Sequence, residues 1–89
     1  MGKAIKMKAG KFEAKGDNQR LNNDCKAMLE ELGDLSALWS AKYDGRAVYI
    51  ALATFSNFYY WQGIKTLGQD YMSRCYDEAS KLTEELRKR

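Results

Sequence analysis

The chain has 89 residues, of which 45% are hydrophobic and 30% are charged, and its formal net charge is +3. This length predicts one small domain, and the apolar fraction excludes an intrinsically disordered chain. Two cysteines are too few for a disulfide scaffold, and the absence of histidine removes the commonest general base and the commonest metal ligand.

Residues 1–16 form a basic segment in which five lysines alternate with apolar residues. The alternation changes phase next to Gly10, which predicts a β-hairpin that pairs Met7 with Phe12. A flexible basic arm and a basic amphipathic helix are the alternatives, and Gly10 argues against the helix. The segment is therefore predicted to be a basic N-terminal hairpin or arm, followed by a single domain over residues 17–89.

Residues 17–33 have the pattern of an amphipathic helix. Asp17 or Asn18 can cap its first backbone N–H groups, and Gly33 stands where helices often end. Apolar residues recur at a spacing of three or four, as expected for one stripe along a helix. The members of this stripe are Leu21, Cys25, Met28, Leu29 and Leu32.

Residues 47–64 contain no charged side chain over eighteen positions. Several polar side chains make the run less apolar than a typical membrane span. A helix in water is disfavoured as well, because its outer face would carry no charge for about five turns. Asp44-Gly45 is a strong signal for a two-residue hairpin turn, and a weaker one follows at residues 56–57. The sequence therefore predicts a three-stranded antiparallel meander within residues 34–67.

Pairing the strands through these two turns divides their side chains between two faces of the sheet. The face predicted to pack against helices collects Trp39, Ala41, Val48, Ile50, Leu52, Tyr59 and Trp61. The opposite face collects three alanines and an aromatic patch. The aromatic patch consists of Tyr49, Phe55, Phe58 and Tyr60.

Thr66 and Gln69 have the spacing of a capping box, which predicts a last helix running to about Lys88. One side of this helix collects Leu67, Tyr71, Cys75, Ala79, Leu82 and Leu86. Two helices can cover one face of a three-stranded sheet, so the predicted fold is a two-layer α+β domain, α-β-β-β-α, with or without the N-terminal hairpin. This order resembles that of double-stranded-RNA-binding domains in topology alone, since the chain lacks a Gly-Pro-x-His loop.

No group of residues has the spacing of a catalytic, metal-binding or nucleotide-binding motif. Cys25 and Cys75 lie on the two helical stripes and are expected to be buried thiols, with a disulfide between them and a reactive thiol as alternatives. The protein is therefore predicted not to be an enzyme and to use no cofactor, metal, membrane or small-molecule substrate. No apolar stretch typical of a signal peptide follows the lysine-rich start, so a cytoplasmic location is expected.

The aromatic patch of the predicted sheet needs a cover. The candidates are the N-terminal hairpin, a second copy of the chain or another protein, and the stacked bases of a single-stranded nucleic acid. We therefore predict a small protein-binding module that uses the patch to self-associate, or to act as an accessory protein or inhibitor of a larger partner. A continuous helix over residues 46–64 would remove the patch and the argument that depends on it.

The alternative function is that of a nucleic-acid-binding module in which bases stack on the patch and basic side chains contact phosphates. The basic residues assigned to this role are Lys3, Lys6, Lys8, Lys11, Lys42, Arg46 and Lys65. A mild excess of positive charge permits a polyanionic partner without requiring one.

Overall fold

The computed structural model describes residues 7–89, and within that range it contains three helices and no strand. The helices are α1 (Asn18–Lys42), α2 (Gly45–Leu67) and α3 (Gln69–Arg87). The predicted α+β fold with a three-stranded meander is therefore wrong, and the topological likeness to double-stranded-RNA-binding domains fails with it. The first part of the predicted N-terminal hairpin falls on residues 1–6, outside the described residues, and residues 7–15 form no strand.

Helix α1 begins where the sequence predicts but ends nine residues later than Gly33. Oδ1 of Asp17 accepts a hydrogen bond of 3.0 Å from the backbone N–H of Arg20, so Asp17 is the N-terminal cap. A glycine inside a helix costs only about 1 kcal/mol relative to alanine. That cost does not end α1, because Trp39 continues the apolar stripe beyond Gly33.

Helix α2 occupies the segment that was predicted to form strands, and Asp44 explains the error. The carbonyl of Asp44 accepts a hydrogen bond from the N–H of Val48 at 3.1 Å, and its Oδ1 accepts one from the N–H of Arg46 at 2.8 Å. Asp44 is therefore a helix cap and not the first residue of a hairpin turn. Asp-Gly suits both structures, because aspartate caps helices as readily as it enters tight turns.

The objection to a helix over residues 47–64 is that its outer face carries no charge for about five turns. The helix forms nevertheless, and much of its apolar surface stays uncovered: Tyr49 is 72% exposed and Ile50 is 57% exposed. No described helix is long and apolar enough to cross a membrane. The uncharged outer face is thus a property of the folded chain that calls for a functional explanation.

The described chain divides into two compact units, and one of them contains residues 7–12 with Tyr59–Arg89. In this unit Gly63 and Met72 are buried. A Cβ atom added to Gly63 would lie 2.5 Å from Sδ of Met72, so glycine is what allows the two residues to approach so closely. The Phe12 and Tyr59 rings are also in contact, with centroids 4.8 Å apart.

A single residue, Gly68, connects α2 to α3 with a φ of +90° that glycine adopts readily. The predicted capping box is absent, because Oγ1 of Thr66 donates to the carbonyl of Gln62 at 3.1 Å and no side chain caps α3. The end of α3 was predicted more closely: the helix ends at Arg87, one residue before the predicted end.

The other compact unit, Glu13–Phe58, consists of α1 and the first part of α2 joined at Tyr43-Asp44. All of its residues are described, and none of them is buried. Two antiparallel helices with no buried residue form an incomplete core.

Candidate functional site

The apolar side chains of α1 follow a seven-residue repeat that extends through Gly33. Residues at three of every seven positions, a, d and e, form one face of the helix. From Leu21 onwards the a positions are Cys25, Leu32 and Trp39; the d positions are Leu21, Met28, Leu35 and Lys42; the e positions are Asn22, Leu29, Ser36 and Tyr43, the residue that caps α1. A face of this width is typical of a helix that packs against two neighbours in a bundle.

Within the Glu13–Phe58 unit, α1 and α2 enclose an open groove of about 500 Å³ between them. We call it the α1–α2 groove, and it is lined by Leu32, Trp39, Tyr43, Ala47, Val48, Ala51, Leu52 and Phe55. No lining residue is charged, and the polar side-chain groups are limited to the Trp39 indole N–H and the Tyr43 hydroxyl. The groove therefore offers a hydrocarbon surface with few groups to orient a polar ligand.

The apolar stripe of α1 extends beyond the groove toward the start of the helix, and its side chains there are exposed. Leu21, Met28 and Leu35, which we call the d row, are between 42% and 57% exposed. Leu35 is beside the groove on α1, and Met28 and Leu21 continue the d row from it, one and two heptads toward the start of the helix. The unit by itself thus leaves much of its apolar surface in contact with water, which is unusual for a monomeric protein.

Comparisons with known proteins give no relative from which a function could be transferred. No family model, no curated protein and no solved structure matches this chain. The function is therefore argued from the geometry and chemistry of the chain.

The aromatic patch predicted from the sequence is not a single surface of the described structure. Successive residues of a helix are about 100° apart, so Phe55 and Phe58 lie on one side of α2 and Tyr49 and Tyr60 on the other. Phe55 lines the groove, whereas the Tyr60 ring lies 6.5 Å from that of Tyr76. The sheet-based argument for this surface fails, and a binding role for the four residues stays a prediction.

The sequence prediction missed the groove because it assigned its residues elsewhere. Trp39, Val48 and Leu52 were expected to lie beneath two helices on a sheet, and all three line the open groove. The repeat of Cys25, Leu32 and Trp39 at intervals of seven was the signal that could have extended α1 and revealed the groove.

The basic residues predicted to contact nucleic acid do not form one described cluster. Lys3 and Lys6 lie outside the described residues; Lys8 and Lys11 are in the segment before α1. Lys42 ends α1, with its Nζ 5.3 Å from the centre of the Tyr43 ring, and Lys65 is in the last turn of α2. Their role in nucleic-acid binding stays a prediction.

Arg46 makes an ion pair with Asp44 at the start of α2. Its Nη2 lies 2.7 Å from Oδ2 of Asp44, and its Nε donates to Oδ1 at 3.1 Å. These hydrogen bonds hold the pKa of the Asp44 carboxyl below its usual value and raise the pKa of Arg46. A phosphate would have to compete with this carboxylate for the guanidinium.

The two cysteines are free, so they form no disulfide with each other. Both are half-buried, whereas the sequence predicted buried thiols. Among residues 7–89 there is no group of three or more cysteine, aspartate or glutamate side chains that could hold a metal ion. The groove is thus the surface of the described chain with the clearest capacity to bind something.

Proposed function

We propose that this chain is a small non-enzymatic protein-binding module, and that its α1–α2 groove accepts an apolar helix of a partner. The observation that carries the proposal is an uncharged groove of about 500 Å³ in a unit without a single buried residue. Filling this groove would complete the core that the unit lacks.

The shape of the groove suits the side chains of a helix. Ala47 and Ala51 are one helical turn apart on α2, and their small side chains leave room between the larger Trp39 and Phe55. Apolar side chains at every third or fourth position of a partner helix can enter such a space, as in other helix-in-groove complexes.

The chemistry of the groove favours a protein over a small molecule. The volume falls within the range of small-molecule sites, about 300–1,000 Å³, but such sites combine apolar walls with several placed polar groups. Here the Trp39 N–H and the Tyr43 hydroxyl are the polar side-chain groups of the lining. The same lack of ionised groups supports binding over catalysis. We keep a cytoplasmic location as part of the proposal, because Cys25 and Cys75 are both free.

Photo-crosslinking of the chain to its partner, in cells that express the chain, tests the proposal. A benzophenone amino acid replaces Ala51 on the groove floor or, as the matched control, Ala37 on the opposite side of α1. We expect a discrete protein adduct from position 51 that the added substitution Ala47→Lys suppresses, because a lysine on the groove floor would be costly to bury. An equal yield of adducts from positions 51 and 37 would contradict a binding role for the groove.

A further inference from the structure

We propose, building on the protein-binding function, that the partner is a second copy of this chain. Two α1–α2 hairpins pack through their α1–α2 grooves and d rows, and the four helices form a symmetric bundle. The a, d and e face of α1 has the width of a bundle helix, but its own unit supplies only one neighbour, α2. A second hairpin supplies the neighbour that is missing.

The contact face is uncharged at its centre, and its charged residues lie at its edges. Between Leu21 and Leu35, every a, d and e position of α1 is occupied by an uncharged residue, and the groove lining is uncharged as well. Lys26, Glu30 and Asp34 lie on the other side of α1, whereas Asp24 and Glu31 border the d row and Lys42 follows Leu35 in it, at the rim of the face where charged groups stay in water. A twofold axis brings each copy against the same surface of the other, and an apolar face is complementary to itself.

The exposed area matches what a dimer of this kind needs. Seven large side chains on the face are each between 37% and 57% exposed: Leu21, Met28, Leu29, Leu32, Leu35, Tyr43 and Leu52. At about 200 Å² for a large side chain, they present about 600 Å² before the smaller groove residues are counted. A stable dimer buries about 800 Å² on each partner. A ligand confined to the groove would leave the d row in water, whereas a second hairpin covers both surfaces.

The oligomeric state of the purified 89-residue chain tests this inference. Light scattering after size exclusion, at about 1 and about 100 µM, should give a mass near twice 10.2 kDa at the higher concentration. Met28→Lys, in the d row, and Ala51→Lys, in the groove, should each raise the dissociation constant of the dimer at least about 100-fold. Ala37→Lys adds the same charge outside the contact face and should change the dissociation constant of the dimer less than about twofold.

A second measurement keeps the test decisive if either lysine variant fails to fold. A benzophenone amino acid at position 28 of the purified chain should give a covalent dimer on irradiation, and the same group at position 37 should not. A monomer at both concentrations, or a dimer that resists both Met28→Lys and Ala51→Lys, would overturn the inference. A purified monomer whose position 51 captures a different protein in cells would leave the proposed function standing and remove only the second copy as partner.

Discussion

Gly33 and Gly63 both lie inside helices, and replacing each with alanine is expected to have different effects on stability. A Cβ at position 33 would meet no atom within 4 Å. Gly33→Ala should therefore raise the free energy of unfolding by about 1 kcal/mol, the ordinary difference between the two residues in a helix. For a chain of this length, such a gain raises the melting temperature by about 5 °C.

At position 63 the new methyl group would lie 2.5 Å from both Sδ and Cε of Met72 and 3.1 Å from its Cγ. Overpacking of this kind costs about 1–3 kcal/mol. The gain in helix propensity offsets about 1 kcal/mol of that cost, so Gly63→Ala should lower the free energy of unfolding by about 0–2 kcal/mol.

Urea unfolding followed by circular dichroism, at one fixed protein concentration, measures both changes. The double variant Gly63→Ala/Met72→Ala isolates the steric conflict, because Met72→Ala removes the atoms that the new methyl group meets. In that background Gly63→Ala should stabilise by about 1 kcal/mol. If Gly63→Ala stabilised the wild-type chain as much as Gly33→Ala does, the explanation of the close approach between Gly63 and Met72 would be wrong.

Three further changes test the connections and the alternative function. Gly68→Ala should lower the free energy of unfolding by about 1–2 kcal/mol, because alanine resists a φ of +90°; an unchanged urea midpoint would contradict this. The pKa of Asp44 is lowered in the folded chain, so its ionised form stabilises the chain above its unfolded pKa of about 4, and this stabilisation is lost as the pH falls through the lower folded pKa. Asp44→Asn should therefore show a smaller loss of melting temperature on acidification than wild type, and parallel pH profiles would refute that assignment. If the chain binds single-stranded nucleic acid, Lys42→Gln and Lys65→Gln should weaken the complex and reduce its salt dependence, and the absence of any mobility shift at about 50 mM salt would exclude this function.

The start of α1 and the end of α3 were predictable from sequence because their signals are local. Asp17 caps the helix that it was expected to cap, and the last helix ends within one residue of the prediction. Capping and a 3.6-residue repeat depend on neighbours within a few positions, so they can be recognised without knowledge of the tertiary structure.

The middle of the chain was mispredicted because two local signals have more than one meaning. Asp44-Gly45 suits a hairpin turn and a helix start alike, and a lack of charge argues against an exposed helix without excluding one. Composition did not decide between the two structures: residues 47–64 contain three alanines and a leucine, which favour helix, but also four β-branched and six aromatic side chains, which favour strand. The groove was beyond local prediction because it exists only where two helices meet.

Helix α2 has no charged side chain between Arg46 and Lys65, and this affects how the chain behaves before it meets a partner. Charged groups on an outer surface keep molecules apart, and Tyr49 and Ile50 provide none. A newly made chain therefore exposes an apolar surface to which chaperones, proteases and other copies of the chain can bind. Its abundance in a cell should follow the supply of whatever covers that surface.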